Sequence, residues 1–382
     1  MLPKAKLWLG LIISAATMWS TSLQAAWELN MPRGVTQISR GTYDLHMQML
    51  WWCVAIGVVV FGVMLVSIIL HRKSRGAVAG TFHESTKVEI VWTLIPFLIL
   101  IMMAIPATRV LTEAYDSSES DLDIMVVGYQ WRWEYKYLRD DESEEEVSFF
   151  SVMSTPREEI SNALPKGENY LLEVDNPLVI PINKKVRFLI TSNDVIHSWW
   201  VPAFAVKKDA IPGFINEIWT RVDEPGIYRG QCTELCGLEH GFMPVVVHAV
   251  EQEEYDAWYA EKQEAARATR AMADNAVTAE ESMIAGEQVY LRNCAACHQP
   301  TGMGMPPVFP ALAGSAVATG PLDANIDILL NGVTGTAMPA FGRQLNPIEL
   351  AAVITYVRNA WGNNTGDLIQ PAEVNQILQE GQ

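Results

Sequence analysis

The segment Cys232-Thr-Glu-Leu-Cys236-Gly-Leu-Glu-His240-Gly-Phe-Met243 places thiol, imidazole and thioether groups at intervals of three or four residues, and a further imidazole, His197, stands upstream of it. These are the soft-to-borderline donors that select copper. A mononuclear blue-copper centre needs one Cys. Two Cys, two His and a Met suit two ions, each thiolate bridging both, with one imidazole and one weak donor per ion. Zinc is the alternative, because Cys₂His₂ is a common closed zinc set. Met243 has no place in a tetrahedral zinc site, and Cys-x₃-Cys-x₃-His-x₂-Met is a long pattern to meet by chance.

A second constellation, Cys294-Ala-Ala-Cys297-His298, is a c-type haem attachment sequence. Two thiols at this spacing can form thioethers to a porphyrin while the adjacent His binds iron. Electron transfer favours a sixth ligand, and Met338 in Gly335-Thr-Ala-Met338-Pro-Ala-Phe341 is the expected one, with Met303 and Met305 as rivals. The distance of Met338 from the Cys pair and the Pro after it resemble small class I cytochromes c. His/Met ligation raises the reduction potential.

The elements that must position these residues follow from composition. The 382 residues allow two or three domains. A net charge of −17 disfavours nucleic acid and favours a basic protein partner. Cys53 lies in an apolar run and reads as a small buried hydrophobe. Residues 1–26 have the layout of a secretory signal peptide, with Lys4 and Lys6 before an apolar stretch and Ala25-Ala26 after it; a retained anchor is the alternative. Residues 27–115 read as a transmembrane hairpin with spans at about 47–70 and 90–111. The basic loop His71-Arg72-Lys73-Ser74-Arg75 between them belongs in the cytoplasm, so everything after Leu111 faces outward. From 116 to 252 short β-rich runs separated by turn residues indicate an antiparallel sandwich or barrel. Within that region Asp140–Glu146 is too densely acidic to pack and reads as a solvated loop. Residues 253–282 read as a helical linker, 283–364 as an all-α cytochrome c domain, and 365–382 as a C-terminal tail. Asn346-Pro347-Ile348-Glu349 has the form of a helix start.

His197-Ser-Trp199, Asp209-Ala-Ile-Pro-Gly213, Gly230-Gln-Cys-Thr-Glu-Leu-Cys236 and Gly241-Phe-Met-Pro244 together resemble the signature of cytochrome c oxidase subunit II, here with a fused C-terminal class I cytochrome c domain as in caa-type haem-copper oxidases. The resemblance implies a cupredoxin-like Greek-key sandwich carrying the dinuclear copper centre CuA. His197, Cys232, Cys236, His240 and Met243 would supply side chains and Glu234 its backbone carbonyl, leaving the Glu234 carboxylate for a magnesium ion facing subunit I. It further implies that Trp131, in Gly128-Tyr-Gln-Trp131-Arg-Trp133-Glu-Tyr135, is the point of electron entry, although such aromatic runs also arise from strand packing. Glu89, at the cytoplasmic start of the second span, would stand at the entrance of a proton path. A carboxylate there is also favoured simply by the helix N-terminus. The expected partners are subunits I and III and cytochrome c or another periplasmic donor, the expected place is a bacterial inner membrane, and the expected route runs from haem c through CuA to haem a of subunit I, where oxygen is reduced and protons are pumped. The intact donor set separates the chain from quinol oxidase subunits, and 7 His in total leave no room for the His-rich catalytic domain of nitrous oxide reductase.

Overall fold

The structure is a computed structural model that describes residues 30–78, 80, 83–138, 147–333, 335–342 and 344–380; the expected signal segment 1–26 and the acidic loop Asp140–Glu146 lie outside them. The chain divides into two compact units, one formed by the residues up to Tyr135 with Phe150–Glu251, the other by Lys136–Phe149 with the chain from Gln252 onward.

The first unit begins with two helices, α1 (Gln37–Leu70) and α2 (Thr86–Tyr115), both long and apolar enough to cross a membrane. Helix α1 starts at Gln37, well before the apolar run at Met47, because Thr36 caps it: the Thr36 hydroxyl accepts from the Ser39 N–H and the Thr36 N–H donates to the Ser39 hydroxyl, each at 2.9 Å. At 1.5 Å per residue it is about 50 Å long, against a hydrocarbon thickness of about 30 Å. Pro96 and Pro106 lie inside α2 without ending it. Trp51, Phe61, Trp92 and Phe97 project from the pair with most of their surface bare, which suits lipid or neighbouring helices rather than water.

The sandwich has strands β1 (Leu122–Tyr129), β2 (Arg132–Leu138), β3 (Val147–Ser151), β4 (Leu178–Pro181), β5 (Val186–Ser192), β6 (His197–Val201), β7 (Val206–Ala210), β8 (Asn216–Thr220), β9 (Gly226–Cys232) and β10 (Pro244–Val250). They form two sheets, in the orders β3-β2-β1-β5-β8 and β4-β10-β9-β6-β7. Along β5, Val186, Phe188, Ile190 and Ser192 are buried and the residues between them are half-buried, the period-two pattern of a sheet with one face on a core. Phe188 meets Trp199 of the other sheet with ring centroids 4.8 Å apart. Backbone bonds join the start of α1 to the sandwich: the Val35 N–H donates to Ala203 O at 3.1 Å and the Asp223 N–H to Val35 O at 3.2 Å. The Trp219 indole N–H donates to Glu113 O near the end of α2 at 3.1 Å.

In the second unit α3 (Gln252–Met272) is followed by α4 (Ala279–Asn293), the single turn α5 (Ala295–His298), α6 (Leu322–Asn331), α7 (Pro347–Asn359) and α8 (Pro371–Glu380). The expected start at Asn346 is present, its side chain accepting from the Ile348 and Glu349 N–H groups at 3.0 Å. Helices α4 and α7 cross at Gly286, where a Cβ would fall 2.2 Å from Ala352 O. The final segment is structured: Ile369 and Val374 are buried in the same core as Leu350, Val353 and Ile354. The architecture is thus a helical hairpin, a cupredoxin-like β-sandwich and a helical cytochrome c domain, the fold class expected above.

Candidate metal and haem sites

Antiparallel pairing of β6 with β9 sets Trp199 opposite Cys232 and brings His197, at the head of β6, beside the segment that leaves β9. The Cys232 N–H donates to Met243 O at 3.0 Å, closing Cys232–Met243 into a loop. Inside it the Cys232 and Cys236 sulfurs are 3.9 Å apart, far beyond a disulfide bond length of about 2.05 Å. His197 Nδ1 is 3.9 Å from Cys232 Sγ, and His240 Nδ1 is 3.5 Å from Cys236 Sγ. Glu234 O lies 3.4 Å from Cys232 Sγ, while its side chain belongs to an exposed residue. His197, Cys232, Cys236 and Met243 are buried. His197, Cys232 and Cys236 place ligand atoms mutually within 4.8 Å, the one such group among the described residues.

The hydrogen bond from Cys236 holds the Cys232 thiol far below its usual range, with help from His197, whereas the same contact and burial push Cys236 up. The pair thus shares one proton, and ionising both sulfurs side by side would require positive charge beside them. Burial alone would depress the His197 imidazolium, but the Asp194 carboxylate and Cys232 outweigh it and raise the pKa. Asp194 Oδ1 accepts from His197 Nε2 at 2.8 Å, which leaves Nδ1 turned to the sulfur. A carboxylate so placed is the kind of outer-sphere partner that fixes a His where it ligates a metal. Spacing gave no sign of it, since Asp194 belongs to no donor pattern. Gly128 is a second omission. Its missing side chain makes room for His197, whose Cδ2 would be 2.8 Å from a Cβ there.

Trp131 sits against the loop, its indole N–H donating to Cys236 O at 3.2 Å. Trp133, two residues on, is buried with its ring 5.9 Å from the His197 ring. Glu89 is in the first turn of α2, where Oε1 accepts from the Ser85 N–H at 3.4 Å, so the helix-terminus arrangement is present.

In the second unit His298 is buried and its Nδ1 is 2.9 Å from Pro310 O, a contact that orients the ring and leaves Nε2 for iron. Cys294 and Met338 are both half-buried against the domain core, while Met303 and Met305 are exposed. Tyr290 packs on Trp361 with centroids 4.7 Å apart and donates to Gln299 O at 2.7 Å, tying the turn after His298 to the helices. The donor sets fit the groups the sequence implied: sulfur and nitrogen in a buried loop for copper, a thiol pair with an oriented imidazole for haem.

Fold and site together define a membrane-anchored, cupredoxin-like electron carrier with a cytochrome c domain attached. Residues 122–250 match the family described as cytochrome c oxidase subunit II, periplasmic domain, residues 24–110 the transmembrane domain of the same subunit, and residues 281–357 the family described as cytochrome c oxidase, cbb3-type, subunit III. A probable cytochrome c oxidase subunit 2 from Rickettsia bellii (strain RML369-C) is 40% identical over 240 residues, 63% of this chain and 86% of that protein. The cytochrome c oxidase subunit 2 of Cyanidium caldarium is 37% identical over 236 residues, 62% of this chain and 91% of its own. The crystal structure of the periplasmic domain of subunit II of cytochrome oxidase from Bradyrhizobium japonicum is 38% identical, with a TM-score of 0.34, covering 39% of this chain and 97% of that one. The chain belongs to the cytochrome c oxidase subunit II family, and so to a haem-copper oxidoreductase complex, as a membrane protein with a periplasmic domain.

Proposed function

We propose that this chain is the electron-accepting subunit of a proton-pumping, caa-type oxidase in a bacterial inner membrane, taking electrons from cytochrome c or another periplasmic donor and delivering them to haem a of subunit I. His197, Cys232, Cys236, His240 and Met243, with the carbonyl of Glu234, would hold the copper pair. Cys294 and Cys297 would carry haem c by thioethers, with His298 and Met338 on its iron. When bound, these groups supply one-electron carriers that change state with little rearrangement. The chain's own part is to hold them rigidly, to keep water from the thiolates, and to present Trp131 at the loop as the entry point. The Glu234 carboxylate would face magnesium at the boundary with subunit I, and Glu89 would stand at the mouth of a proton path. Subunit III is the further expected neighbour.

The observation that carries the reading is the pair of buried sulfurs 3.9 Å apart, with an imidazole nitrogen within reach of each. The test is metal and haem analysis of the purified full chain, with electron paramagnetic resonance on the oxidised form. Two coppers and one covalent haem per chain, with one unpaired electron shared by the coppers, are expected. A lone zinc ion in the loop would overturn the proposal.

A further inference from the structure

The corner between β1 and β2 touches both halves of the donor set, and the residue that makes both contacts is Gln130. Its side-chain Nε2 donates to Cys236 O at 2.7 Å, the carbonyl that also accepts from the Trp131 indole. Its backbone N–H donates at 2.7 Å to Asp194 Oδ2, while the other oxygen of Asp194 holds His197. We propose that Gln130 is a positioning residue: it pins the Trp131 indole to the metal-ligand loop and, by sharing the Cys236 carbonyl with it, fixes the environment of the Cys236 sulfur. This inference rests on the reading of the loop as the copper site and of Trp131 as the entry point.

Gly237 supports it independently. The residue after Cys236 has φ +120°, and a Cβ there would lie 2.8 Å from Gln130 Nε2 and 3.1 Å from Trp131 Cζ2. The ligand loop is bare where the amide and the indole come down on it. Two N–H dipoles aimed at one carbonyl place their positive ends beside the Cys236 thiolate. There they favour the electron-richer state of whatever the sulfur binds, without adding a charge that must be desolvated. Leu at this position would fill similar space and donate nothing, and Glu would turn a carboxylate toward a carbonyl oxygen.

The experiment uses the full chain in its oxidase complex, as wild type, Gln130→Leu, Gly237→Ala and Trp131→Phe. It measures copper and haem per chain, the electron paramagnetic resonance spectrum of the oxidised copper, its midpoint potential, and the rate at which a photoreduced cytochrome c, losing one electron, reduces it. Gln130→Leu is expected to keep both coppers, alter the copper hyperfine pattern, lower the midpoint potential, and slow electron entry by about tenfold, the scale on which outer-sphere partners act. Gly237→Ala, which pushes on the same two side chains, should show the same pattern. If Trp131→Phe slows entry while Gln130→Leu leaves both rate and spectrum unchanged, this inference fails and the entry reading survives. If Trp131→Phe is silent too, both fail. Loss of copper from Gln130→Leu overturns the inference as well, because the residue would then hold the loop and not the indole.

Discussion

At Gly128 one methyl group decides whether an imidazole can reach its sulfur. The strand β1 passes so close to His197 that Ala would have to displace the ring, since a Cβ there would fall 2.8 Å from its Cδ2 and 3.0 Å from its Cγ. Overpacking of this kind costs about 1–3 kcal/mol. Gly128→Ala should therefore fold but bind less than half the wild-type copper, with haem content unchanged, as metal analysis of the purified chain would show. A fully loaded variant would mean that the imidazole at this position is not needed. Gly128, Asp194 and Gln130 were not legible as site residues, whereas Cys232, Cys236, His240 and Met243 were. The ligand loop is contiguous, so spacing exposes it. The supporting residues meet it only because β1 runs parallel to β5 and carries its end alongside His197, a register that no local pattern encodes. Met338, the proposed sixth haem ligand, lies between these cases. Its spacing singled it out, and its burial against the core now separates it from Met303 and Met305. Met338→Ala should abolish the Met-to-iron absorption band of the oxidised haem; a persisting band would assign the sixth position elsewhere.

An ion pair near the end of the haem domain gives a prediction in pH. Arg358, buried on α7, donates through Nε to Asp367 Oδ2 at 2.7 Å and through Nη1 to the carbonyls of Ala318 and Gly320 at 3.1 and 3.0 Å. The hydrogen bonds from Arg358, then Thr365, hold the Asp367 carboxyl below its usual range. A carboxyl depressed in the folded state stabilises it above the unfolded value of about 3.9, and that contribution is lost as pH falls through the lower folded value. Asp367 is partly exposed, so solvent screens the pair and the loss on Asp367→Asn should be about 1 kcal/mol at neutral pH. The wild-type and variant stabilities should converge as pH falls below 4, in urea titrations of the holoprotein followed at the haem band. A difference that persists in acid would remove the carboxylate from the account.

Among the elements, the first span departs from the sequence reading because hydropathy measures membrane thickness, not helix length. Polar residues Gln37, Ser39, Arg40 and Asp44 hide the first turns of α1 from an apolar count, although the Thr36 cap begins the helix there. The linker region is likewise more than a tether. Tyr255, Trp258 and Tyr259 of α3 close around Tyr137 in β2, with centroids 6.4, 5.3 and 5.8 Å away, and Trp258 also meets Phe149 of β3 at 6.0 Å. Aromatic pairs at these separations add about 0.5–1.5 kcal/mol each beyond their area. The first half of α3 is therefore clamped. Its later turns carry Arg267 and Arg270. Trp258→Ala should cost about 3 kcal/mol in the clamp and make the helix a trypsin target at Arg267 and Arg270 well before the haem domain is cut, with copper content unchanged. Equal digestion of wild type and variant would mean that the clamp does not hold the helix.

For the molecule as a whole, on the proposed route covalent fusion would raise the effective concentration of the haem domain at the copper domain, so a soluble cytochrome could be dispensed with or act upstream. What recruits that upstream donor is then a matter of charge. The chain carries 44 acidic against 27 basic residues, and seven consecutive positions, Asp140 to Glu146, hold six of the acids. Such a surface steers a basic partner over distances that salt shortens, from a screening length of about 30 Å at 0.01 M to about 10 Å at 0.1 M. The rate of oxidation of a basic cytochrome c by the intact complex should therefore fall steeply over that range. Replacing the acids among residues 140–146 by their amides should flatten the curve, mainly by lowering the low-salt rate. The maximal turnover, set after the donor has docked, should stay the same. A rate indifferent to ionic strength would leave the acidic surface with no part in choosing the donor, and the apolar and aromatic residues around Trp131 would have to do so alone.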